Sequence, residues 1–419
     1  LLPLDSAPTY IKKDSRNQAL FNIHFPKQKE DVDQAKRYLS YEEIFKLILA
    51  SQLNRQENQK LRAKPLAFNL DSTKKFLASL PFELTPAQKT AAWEIMQDLT
   101  KTTPMNRLLQ GDVGSGKTVV SALAIFQAVK NGAQVALLAP TAILASQHAE
   151  GLAKILAPFG IKTGLLIGAT KQKDQLKSQI QNGEIELIIG THALLTDDTI
   201  FHNLALVIID EQHRFGVQQR DALRESRSDG LLVHQLVMTA TPIPRSVAMT
   251  IFGDLDVTVM KGLPKGRQPV ATYVVDAGNE VWMSRMWQRA REEIDGGGRV
   301  YIVCPRIDDS DTSDALLDSE SSVPLASVSQ TLLGLSKIEP LRGIGAATLT
   351  GRDSSEDKEA IMSAFASGER PILVATTVIE VGVDVPEATM MIILDAQQFG
   401  LSQLHQLRGR VGRSARASV

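Results

Sequence analysis

Two series of short apolar runs constrain the fold of this chain more than any other feature. The first, between residues 106 and 240, is "NRLLQG", "QVALLAP", "IELIIG", "ALVIID" and "HQLVMTA"; the second, between residues 270 and 395, is "VATYVV", "RVYIVCP", "AATLTG", "PILVATT" and "MMIILD". The runs are largely continuous rather than alternating, as in strands covered on both faces, and helical stretches separate them, which requires parallel connections. The sequence therefore predicts an α/β fold with two tandem parallel-sheet domains.

The sequence before the first run predicts helices and the start of a domain. Apolar residues at helical spacing between residues 31 and 62 predict a long amphipathic helix, in which "SYEE" (40–43) is either a capping box or an interruption. In "PFELTPAQ", Thr85, Pro86 and Gln88 fit an N-cap, a first helical residue and a capping-box partner.

These patterns give predicted domain limits. Residues 1–78 form a helical N-terminal segment, residues 79–263 a first sheet domain and residues 264–419 a second, joined by the linker "GLPKGRQP". Residues 308–334, rich in Asp, Ser and Leu without clear periodicity, are predicted to be a solvated surface insertion. Because the chain lacks an initiator Met and ends in "RSARASV" without a helix stop signal, we interpret it as part of a longer protein.

Composition excludes several classes of protein. With 43% hydrophobic and 22% charged residues the chain fits soluble globular proteins. No apolar run approaches the ~18–20 residues that span a bilayer, and no signal-peptide layout is present, so a cytoplasmic location is expected. The single cysteine, Cys304, lies in an apolar run and is predicted to be a buried structural residue. Because the net charge is −1, any contact with nucleic acid must come from local geometry.

"GDVGSGKT", residues 111–118, fits the phosphate-loop pattern G-x-x-x-x-G-K-[ST] between a strand-like run and a helical stretch. Its glycines let backbone N–H groups converge on phosphate oxygens, Lys117 would reach the β and γ phosphates, and Thr118 would ligate Mg²⁺. A glycine-rich surface turn is the alternative, and the flanking elements disfavour it. The nucleotide-binding residues predicted here are Gly111, Gly114, Ser115, Gly116, Lys117 and Thr118.

Asp210 and Glu211 follow the apolar run "LALVIID". An aspartate at the carboxyl end of a neighbouring strand can hold Mg²⁺ through water, and an adjacent glutamate can orient and deprotonate the attacking water. Taken alone the pair would fit an ordinary solvated strand end. Behind a phosphate loop in the same α/β unit, it predicts the hydrolytic half of an ATPase site.

"QLRGRVGR", residues 406–413, places three arginines around two glycines. Arg410 and Arg413 are predicted to reach from the second sheet domain onto the γ-phosphate held by the first, and a solvated basic loop is the alternative. Arginine fingers of this kind are worth about 10³ to 10⁵ in rate. Because the two domains would share the nucleotide, binding would close them and hydrolysis would release them, as in a nucleotide-driven motor.

The complete set of motifs resembles the superfamily 2 helicases and translocases, and among them the bacterial branched-DNA helicases. The resemblance spans roughly residues 30–419 and also rests on "LTPAQ", "APTAILASQH", "IIGTHALL", "DEQHRFGVQQR", "MTATPIPR", "GDLDV" and "VATTVIEVGVDVPEAT". It implies two RecA-like domains that form a helicase motor behind a helical linker segment. It also implies ATP-dependent remodelling of branched DNA, such as stalled forks and Holliday junctions, in recombination and repair.

The resemblance also implies roles for individual residues. Gln88 would recognise adenine, and Gln406 would contact the γ-phosphate region. Thr239 and Thr241 in "TAT" would couple hydrolysis to movement, although hydroxyls capping a turn fit the sequence equally well. His213, Arg214 and Phe215 would pass the nucleotide state towards DNA, with a half-buried structural histidine as the alternative for His213. DNA phosphates would be gripped without base reading by Thr141, Gly190, Thr191, Arg352 and Thr376.

Two positions depart from the pattern common in these helicases, with Thr350 in place of His and Ala142 in place of Glu. The implied cofactors are ATP and Mg²⁺. The implied partners of this monomeric protein are branched or forked DNA and single-stranded-DNA-binding protein, with no membrane, in the bacterial cytoplasm at the nucleoid. The related transcription-repair coupling translocase and a nucleotide-gated binding module without processive work are the alternatives, and DNA-stimulated ATP turnover would exclude the second.

Overall fold

The structure is a computed structural model of the chain and describes residues 16–195, 199–211, 229–240, 255–262, 270–308, 325–380, 385–414 and 416–419. Two parallel sheets follow a helical N-terminal region, as the sequence predicts. Contacts between Cα atoms divide the chain after Arg62: the N-terminal helices, with residues 255–257 of the described chain, belong to one compact unit, and the remainder of both sheets belongs to another.

The N-terminal region consists of helices α1 (Arg16–His24) and α2 (Lys29–Lys60), which contact each other. Helix α2 runs unbroken through residues 40–43, so the prediction that "SYEE" caps or interrupts it is wrong. The cap lies at Gln28, whose backbone N–H donates to the Asp31 carboxylate at 3.2 Å, and Glu42 pairs with Lys46 one turn later. The apolar stripe of α2 is exposed, with exposed fractions of 43–54% at Ile44, Leu47, Ile48 and Leu53.

Residues 63–79 pack with the first sheet. Leu66 and Phe76 are fully buried in the core of that sheet, and Phe76 lies on helix α3 (Leu70–Ser79). Ala63 forms a parallel bridge with Leu232. We therefore place the first domain boundary after Arg62, although the polar sequence before "PFELTPAQ" predicts residue 78.

The first sheet has seven strands among the described residues, in the order β3-β4-β2-β5-β6-β1-β7. Their bounds are β1 (Asn106–Gly111), β2 (Gln134–Leu138), β3 (Thr163–Leu166), β4 (Leu187–Gly190), β5 (Leu204–Asp210), β6 (His234–Thr239) and β7 (Asp256–Met260). The register pairs from β3 to β1 are all parallel. The five predicted runs are strands, whereas β3 and β7, which are short edge strands without a continuous apolar run, were not predicted.

Helices cover both faces of this sheet. They are α4 (Pro86–Leu99), α5 (Lys117–Lys130), α6 (Ala142–Leu156) and α7 (Lys173–Gln181). Leu137 of β2 packs in the core that includes α4, α5 and α6, while its neighbour Leu138 packs in the core that includes Ile180 of α7. Burial on both faces explains why the strands read as continuous apolar runs.

Helix α4 begins as the sequence predicts. The Thr85 hydroxyl accepts a hydrogen bond from Gln88 N at 3.3 Å, and Gln88 Oε1 accepts one from Thr85 N at 2.9 Å, with Pro86 at the first helical position. This capping box is confirmed, and it fixes the Gln88 side chain at the start of the helix.

The second sheet has four described strands in the order β11-β8-β10-β9, all parallel. The strands are β8 (Arg299–Val303), β9 (Ala346–Leu349), β10 (Ile372–Ala375) and β11 (Ala388–Ile393), and the helices are α8 (Glu280–Asp295), α9 (Val328–Leu335), α10 (Ser355–Ser367) and α11 (Leu401–Arg408). The predicted strand "VATYVV" is wrong: only Val270 bridges, to Ser418, and Val274 is 100% exposed. Its apolar residues have no strand beside them among the described residues.

The predicted insertion at 308–334 is shorter than expected. Residues 309–324 lie outside the described residues, but α9 begins at Val328, with Ser327 as its N-cap. Val328 and Leu335 are buried against the second sheet, which the weak periodicity of this short helix hid. Cys304 is fully buried, and burial raises the pKa of its thiol to about 11, which agrees with a structural residue. No helix in the described part of the chain is long and apolar enough to cross a membrane.

Candidate nucleotide site and nucleic-acid edge

Three adjacent strands bring the predicted nucleotide residues to one edge of the first sheet. The sheet order places β5, β6 and β1 side by side, and their last residues are Asp210, Thr239 and Gly111. Because parallel strands share one carboxyl edge, the phosphate loop lies close to the carboxylate pair, as the motifs require.

Two glycines and one glutamine hold the conformation of the phosphate loop. Gly116 has a left-handed backbone (φ 87°), and a Cβ there would overlap Gln88 Nε2, so both the conformation and the space require glycine. A Cβ on Gly111 would lie 2.6 Å from Ser115 Oγ. Gln88 Nε2 donates to Ser115 O at 2.9 Å, so the same side chain that completes the α4 cap also holds the loop. Its role towards adenine stays a prediction.

Lys117 turns back over this loop. Its Nζ donates to Gly111 O at 2.7 Å and to Asp112 O at 3.1 Å. Burial lowers the pKa of the Lys117 ammonium, while the carboxylates of Asp210 and Glu211 oppose that shift. Ser115 Oγ is buried without a hydrogen-bond partner among the described residues. A cationic side chain and an unused hydroxyl inside a glycine loop are the features that a phosphate ligand would satisfy.

Asp210 is held by a residue that the sequence did not assign. His148 Nε2 lies 2.8 Å from Asp210 Oδ2, and the side chains are 12% and 13% exposed. Burial alone would raise the pKa of Asp210, but the hydrogen bond from His148 and the charges of Lys117 and Arg410 together lower it. The carboxylate is therefore kept ionised, as a metal ligand must be.

Glu211 has a different environment from its neighbour. Its φ of 52° is rare for a non-glycine residue, and Ala240 N donates to its Oε1 at 3.1 Å. Burial, with the nearby Asp210 charge, raises the pKa of Glu211. The pair thus separates into an ionised carboxylate and a more basic one, which is the division that a metal ligand and a general base need.

The second sheet domain reaches this site through the turn after α11. A Cβ on Gly409 would lie 2.6 Å from Val113 Cβ, so this turn packs directly on the phosphate loop. His405 Nε2 is 3.3 Å from Asp112 Oδ1. The charge of Arg413, whose Nε donates to Gly409 O at 2.9 Å, acts on the buried Lys117.

The arginine turn also acts on the carboxylates. The positive charge of Arg410 contributes to the lowered pKa of Asp210 and partly opposes the rise in the pKa of Glu211. Gln406 is buried on α11. The structure therefore brings Lys117, Asp210, Glu211, Arg410 and Arg413 into one electrostatic site. Their catalytic roles stay predictions.

The DNA candidates of the first sheet lie at the ends of β2 and β4, which are adjacent strands. Thr141 is the N-cap of α6, and its Oγ1 accepts from Leu144 N at 3.3 Å. A Cβ on Gly190 would overlap Leu166 O, so strand packing alone requires this glycine. Thr191 O accepts from Leu194 N at 3.0 Å. Each candidate has a local structural role, so its role in DNA binding stays a prediction.

The DNA candidates of the second sheet follow β9 and β10, which are also adjacent. Arg352 is 57% exposed at its side chain and forms an ion pair with Asp308. Thr350 N donates to Asp353 Oδ2 at 2.6 Å, and Arg352 N donates to Thr350 Oγ1 at 3.3 Å, so Thr350 shapes the turn that presents Arg352. Thr376 N donates to Leu349 O at 3.4 Å.

Four predicted coupling residues lie outside the described residues: His213, Arg214, Phe215 and Thr241. Conversely, the predictions did not include His148 and His405 as functional residues, and the structure places both at the nucleotide site. His148 belongs to "APTAILASQH" and His405 to "QLHQLRGRVGR", so the signal was their position within quoted motifs.

Comparison with known proteins gives two family matches. The DEAD/DEAH box helicase family matches residues 85–250, and the helicase conserved C-terminal domain family matches residues 285–415. Together these two ranges contain every strand of the two sheets except β7, and every ATP-site residue described above.

Curated relatives extend the similarity to nearly the whole chain. The chain is 42% identical over 418 residues to the ATP-dependent DNA helicase RecG of Mycobacterium bovis, which covers 96% of this chain and 56% of that protein. It is 47% identical over 399 residues to the protein of the same name from Thermotoga maritima, covering 94% and 49%. A solved structure of RecG bound to a three-way DNA junction matches with a TM-score of 0.79 and 42% identity, over 97% of this chain and 52% of that one. The chain thus spans about half the length of the relatives it matches.

Proposed function

Because this chain belongs to the RecG family of DNA helicases, we propose that it uses ATP hydrolysis to remodel branched DNA. One observation carries the proposal beyond family membership: residues of both sheet domains meet at one nucleotide site. Gly409 of the second domain packs on Val113 of the phosphate loop, and the charges of Arg410 and Arg413 act on buried groups of the first domain. A site divided in this way links hydrolysis to the relative positions of the domains.

The roles that we propose in hydrolysis fall on residues of the nucleotide site. The backbone of the phosphate loop and Lys117 bind the β and γ phosphates, and Gln88 would contact the adenine while holding the loop. Asp210 and Thr118 would hold Mg²⁺, which when bound neutralises phosphate charge; the ionised state of Asp210 fits that role. Ser115 Oγ, unused inside the loop, is an additional donor for phosphate.

Glu211 is the residue best placed to accept a proton from the attacking water. As the water oxygen bonds to the γ phosphorus, the bond from that phosphorus to the bridging oxygen of ADP breaks, and the proton passes to the Glu211 carboxylate. Burial raises the pKa of Glu211, which makes its carboxylate a stronger proton acceptor than an ordinary glutamate. Arg410, Arg413 and Gln406 would stabilise the charge on the transferring phosphoryl group from the second domain.

DNA binding at the carboxyl ends of β2 and β4 in the first sheet, and of β9 and β10 in the second, would complete the motor. Two pairs of adjacent strands end in small or exposed groups suited to phosphate contacts, which carry no sequence information. The residues proposed for this contact are Thr141, Gly190, Thr191, Arg352 and Thr376. Those proposed for coupling hydrolysis to movement are His213, Arg214, Phe215, Thr239 and Thr241.

The proposed substrate follows from the family, since a RecG structure contains a three-way DNA junction. We also propose that the protein is a monomer, that it acts with single-stranded-DNA-binding protein, and that it does so at the nucleoid.

The test is ATP hydrolysis by the 419-residue chain with a three-way DNA junction, linear duplex, single-stranded DNA and RNA of equal nucleotide content. We expect the junction to stimulate turnover most and RNA least. Lys117→Ala reports any contaminating ATPase, because it removes the phosphate-binding cation. Stimulation by RNA equal to that by the junction would contradict the DNA assignment, and equal stimulation by linear duplex would favour the coupling-translocase alternative.

A further inference from the structure

Helix α6 follows β2, where the DNA candidates of the first sheet lie, and it also contacts Asp210 at the end of β5. At its start, Thr141 caps the helix, and Ala139 N in the preceding turn donates to Gly190 O at 2.9 Å. About two turns later, His148 Nε2 lies 2.8 Å from Asp210 Oδ2. The two DNA candidates and the proposed magnesium ligand are therefore joined by one helix and three hydrogen bonds.

The body of α6 is fixed to its surroundings. Ala145, Leu152 and Leu156 are fully buried in the core beneath the sheet, and α6 contacts β3, β4 and α5. A helix packed this closely does not bend at one residue, so a displacement at its start moves its later turns as well.

The second sheet domain also touches this helix. Helix α10, which follows the Thr350–Asp353 turn carrying Arg352, contacts α6. A change in the position of the second domain would therefore displace α6 through its contact with α10, in addition to any displacement caused by DNA binding at the N-terminal end of α6.

We propose that His148 is a positioning residue that couples DNA binding to the nucleotide site, by fixing Asp210 to helix α6. The proposal rests on the proposed function, because it needs both DNA and ATP to bind. His148 contacts Oδ2 of Asp210 at 2.8 Å, so a displacement of α6 would move this carboxylate, which is one of the residues that would hold Mg²⁺. By reciprocity, nucleotide binding at Asp210 acts back on the Thr141 end of the helix.

The histidine acts here as a hydrogen-bond donor from Nε2. A glutamine at position 148 could present an Nε2 donor at a similar reach, whereas leucine fills similar space and cannot donate. His148→Gln should therefore retain coupling, and His148→Leu should lose it. Gln147→Ala, next to it on α6, is the matched control, because no hydrogen bond of the Gln147 side chain is present among the described residues.

The experiment measures the Kd for a three-way DNA junction by fluorescence anisotropy, without nucleotide and with a nonhydrolysable ATP analogue and Mg²⁺. Coupled sites typically change each other's affinity about 5- to 150-fold. We expect such a ratio for wild type, Gln147→Ala and His148→Gln, and a ratio within about twofold of one for His148→Leu. Junction-stimulated ATP turnover should fall in parallel, while the midpoint of thermal unfolding shows that each variant is folded.

Two outcomes would contradict the role of His148 without contradicting the proposed function. A wild-type ratio in His148→Leu would mean that the contact carries no coupling. Equal loss in His148→Gln and His148→Leu would mean that the ring shape matters and the hydrogen bond does not. Should His148→Leu fail to fold, His148→Asn, polar but too short to reach Asp210, is expected to show the same uncoupling. A wild-type chain with neither a ratio different from one nor junction-stimulated turnover would instead contradict the proposed function itself.

Discussion

The nucleotide half and the DNA half of the first sheet's carboxyl edge are built differently. In the nucleotide half, at β5, β6 and β1, partners far along the chain hold the site: His148 contacts the buried Asp210 carboxylate, and the Gln88 side chain donates to Ser115 O. In the DNA half, at β4 and β2, small residues have structural contacts of the backbone: Thr141 caps a helix through Leu144 N, and Gly190 lies against Leu166 O of the neighbouring strand. Chemistry specific to phosphate transfer needs the first arrangement, whereas backbone contacts to DNA need only the second.

The difference predicts how each half responds to substitution. A nucleotide residue can lose its function while the fold stays intact, since its charge serves the ligand. A DNA-edge residue should alter stability first, since it caps a helix or lies against a neighbouring strand. The substitutions that follow test this contrast, from the largest expected effect to the smallest.

Arg413→Ala should have the largest effect on turnover with little effect on binding. Its charge acts at the buried end of Lys117, and loss of an arginine finger costs about 10³ to 10⁵ in rate. Single-turnover hydrolysis and equilibrium binding of a fluorescent ATP analogue separate the two quantities. Arg416→Ala, which removes a surface arginine bound to Gly296 O, is the control. Equal losses in binding and turnover would count against action across the domains.

Lys117→Ala should abolish phosphate binding and lower turnover by about 10² to 10³ or more, because it removes the cation that lies on the loop carbonyls of Gly111 and Asp112. The thermal midpoint should stay close to that of wild type, since Lys117 is buried at an energetic cost. Lys130→Ala, at the other end of the same helix, serves as the control. ATPase activity near that of wild type would contradict the nucleotide half as described.

Gly190→Ala should lower stability by about 1–3 kcal/mol, because its Cβ would overlap the backbone oxygen of Leu166. Chemical denaturation measures this change. Gly168→Ala, at the same edge with open space around its Cα, should change stability little. If Gly190→Ala were as stable as Gly168→Ala, the strand-packing role would be wrong.

Thr141→Ala should lower stability by about 1 kcal/mol through loss of the α6 cap, and Thr141→Ser should restore it. Junction affinity should be lowered in the alanine variant and recovered in the serine variant, since the hydroxyl serves both roles. A junction Kd unchanged by Thr141→Ala would remove this residue from the DNA edge and leave only the cap.

Sequence patterns predict the nucleotide half well because its motifs are contiguous. The loop from Gly111 to Thr118, the Thr85 and Gln88 cap and the two series of strands apart from "VATYVV" all depend on local geometry, and the structure has them. The contacts of His148 with Asp210 and of His405 with Asp112 depend on tertiary packing of distant segments, which no spacing rule reveals.

The errors have a related physical cause. The boundary at residue 62 depends on Leu66 and Phe76 reaching the core of the first sheet, and "VATYVV" has strand-forming residues but no adjacent strand in the described chain. At the DNA edge, Gly190 and Thr141 have structural roles that by themselves explain the residues found there. Sequence alone therefore cannot separate structure from function at this edge.

ATP binding in the nucleotide half and DNA binding in the DNA half are expected to be energetically coupled. A closed thermodynamic cycle tests this coupling most directly. We would measure the Kd of a nonhydrolysable ATP analogue with and without saturating three-way junction, and the Kd of the junction with and without saturating analogue. Both pairs must change by the same factor, which we expect to fall in the range of about 5- to 150-fold. A factor of one in both pairs would contradict the account, because the ATP site and the DNA edge would then bind independently.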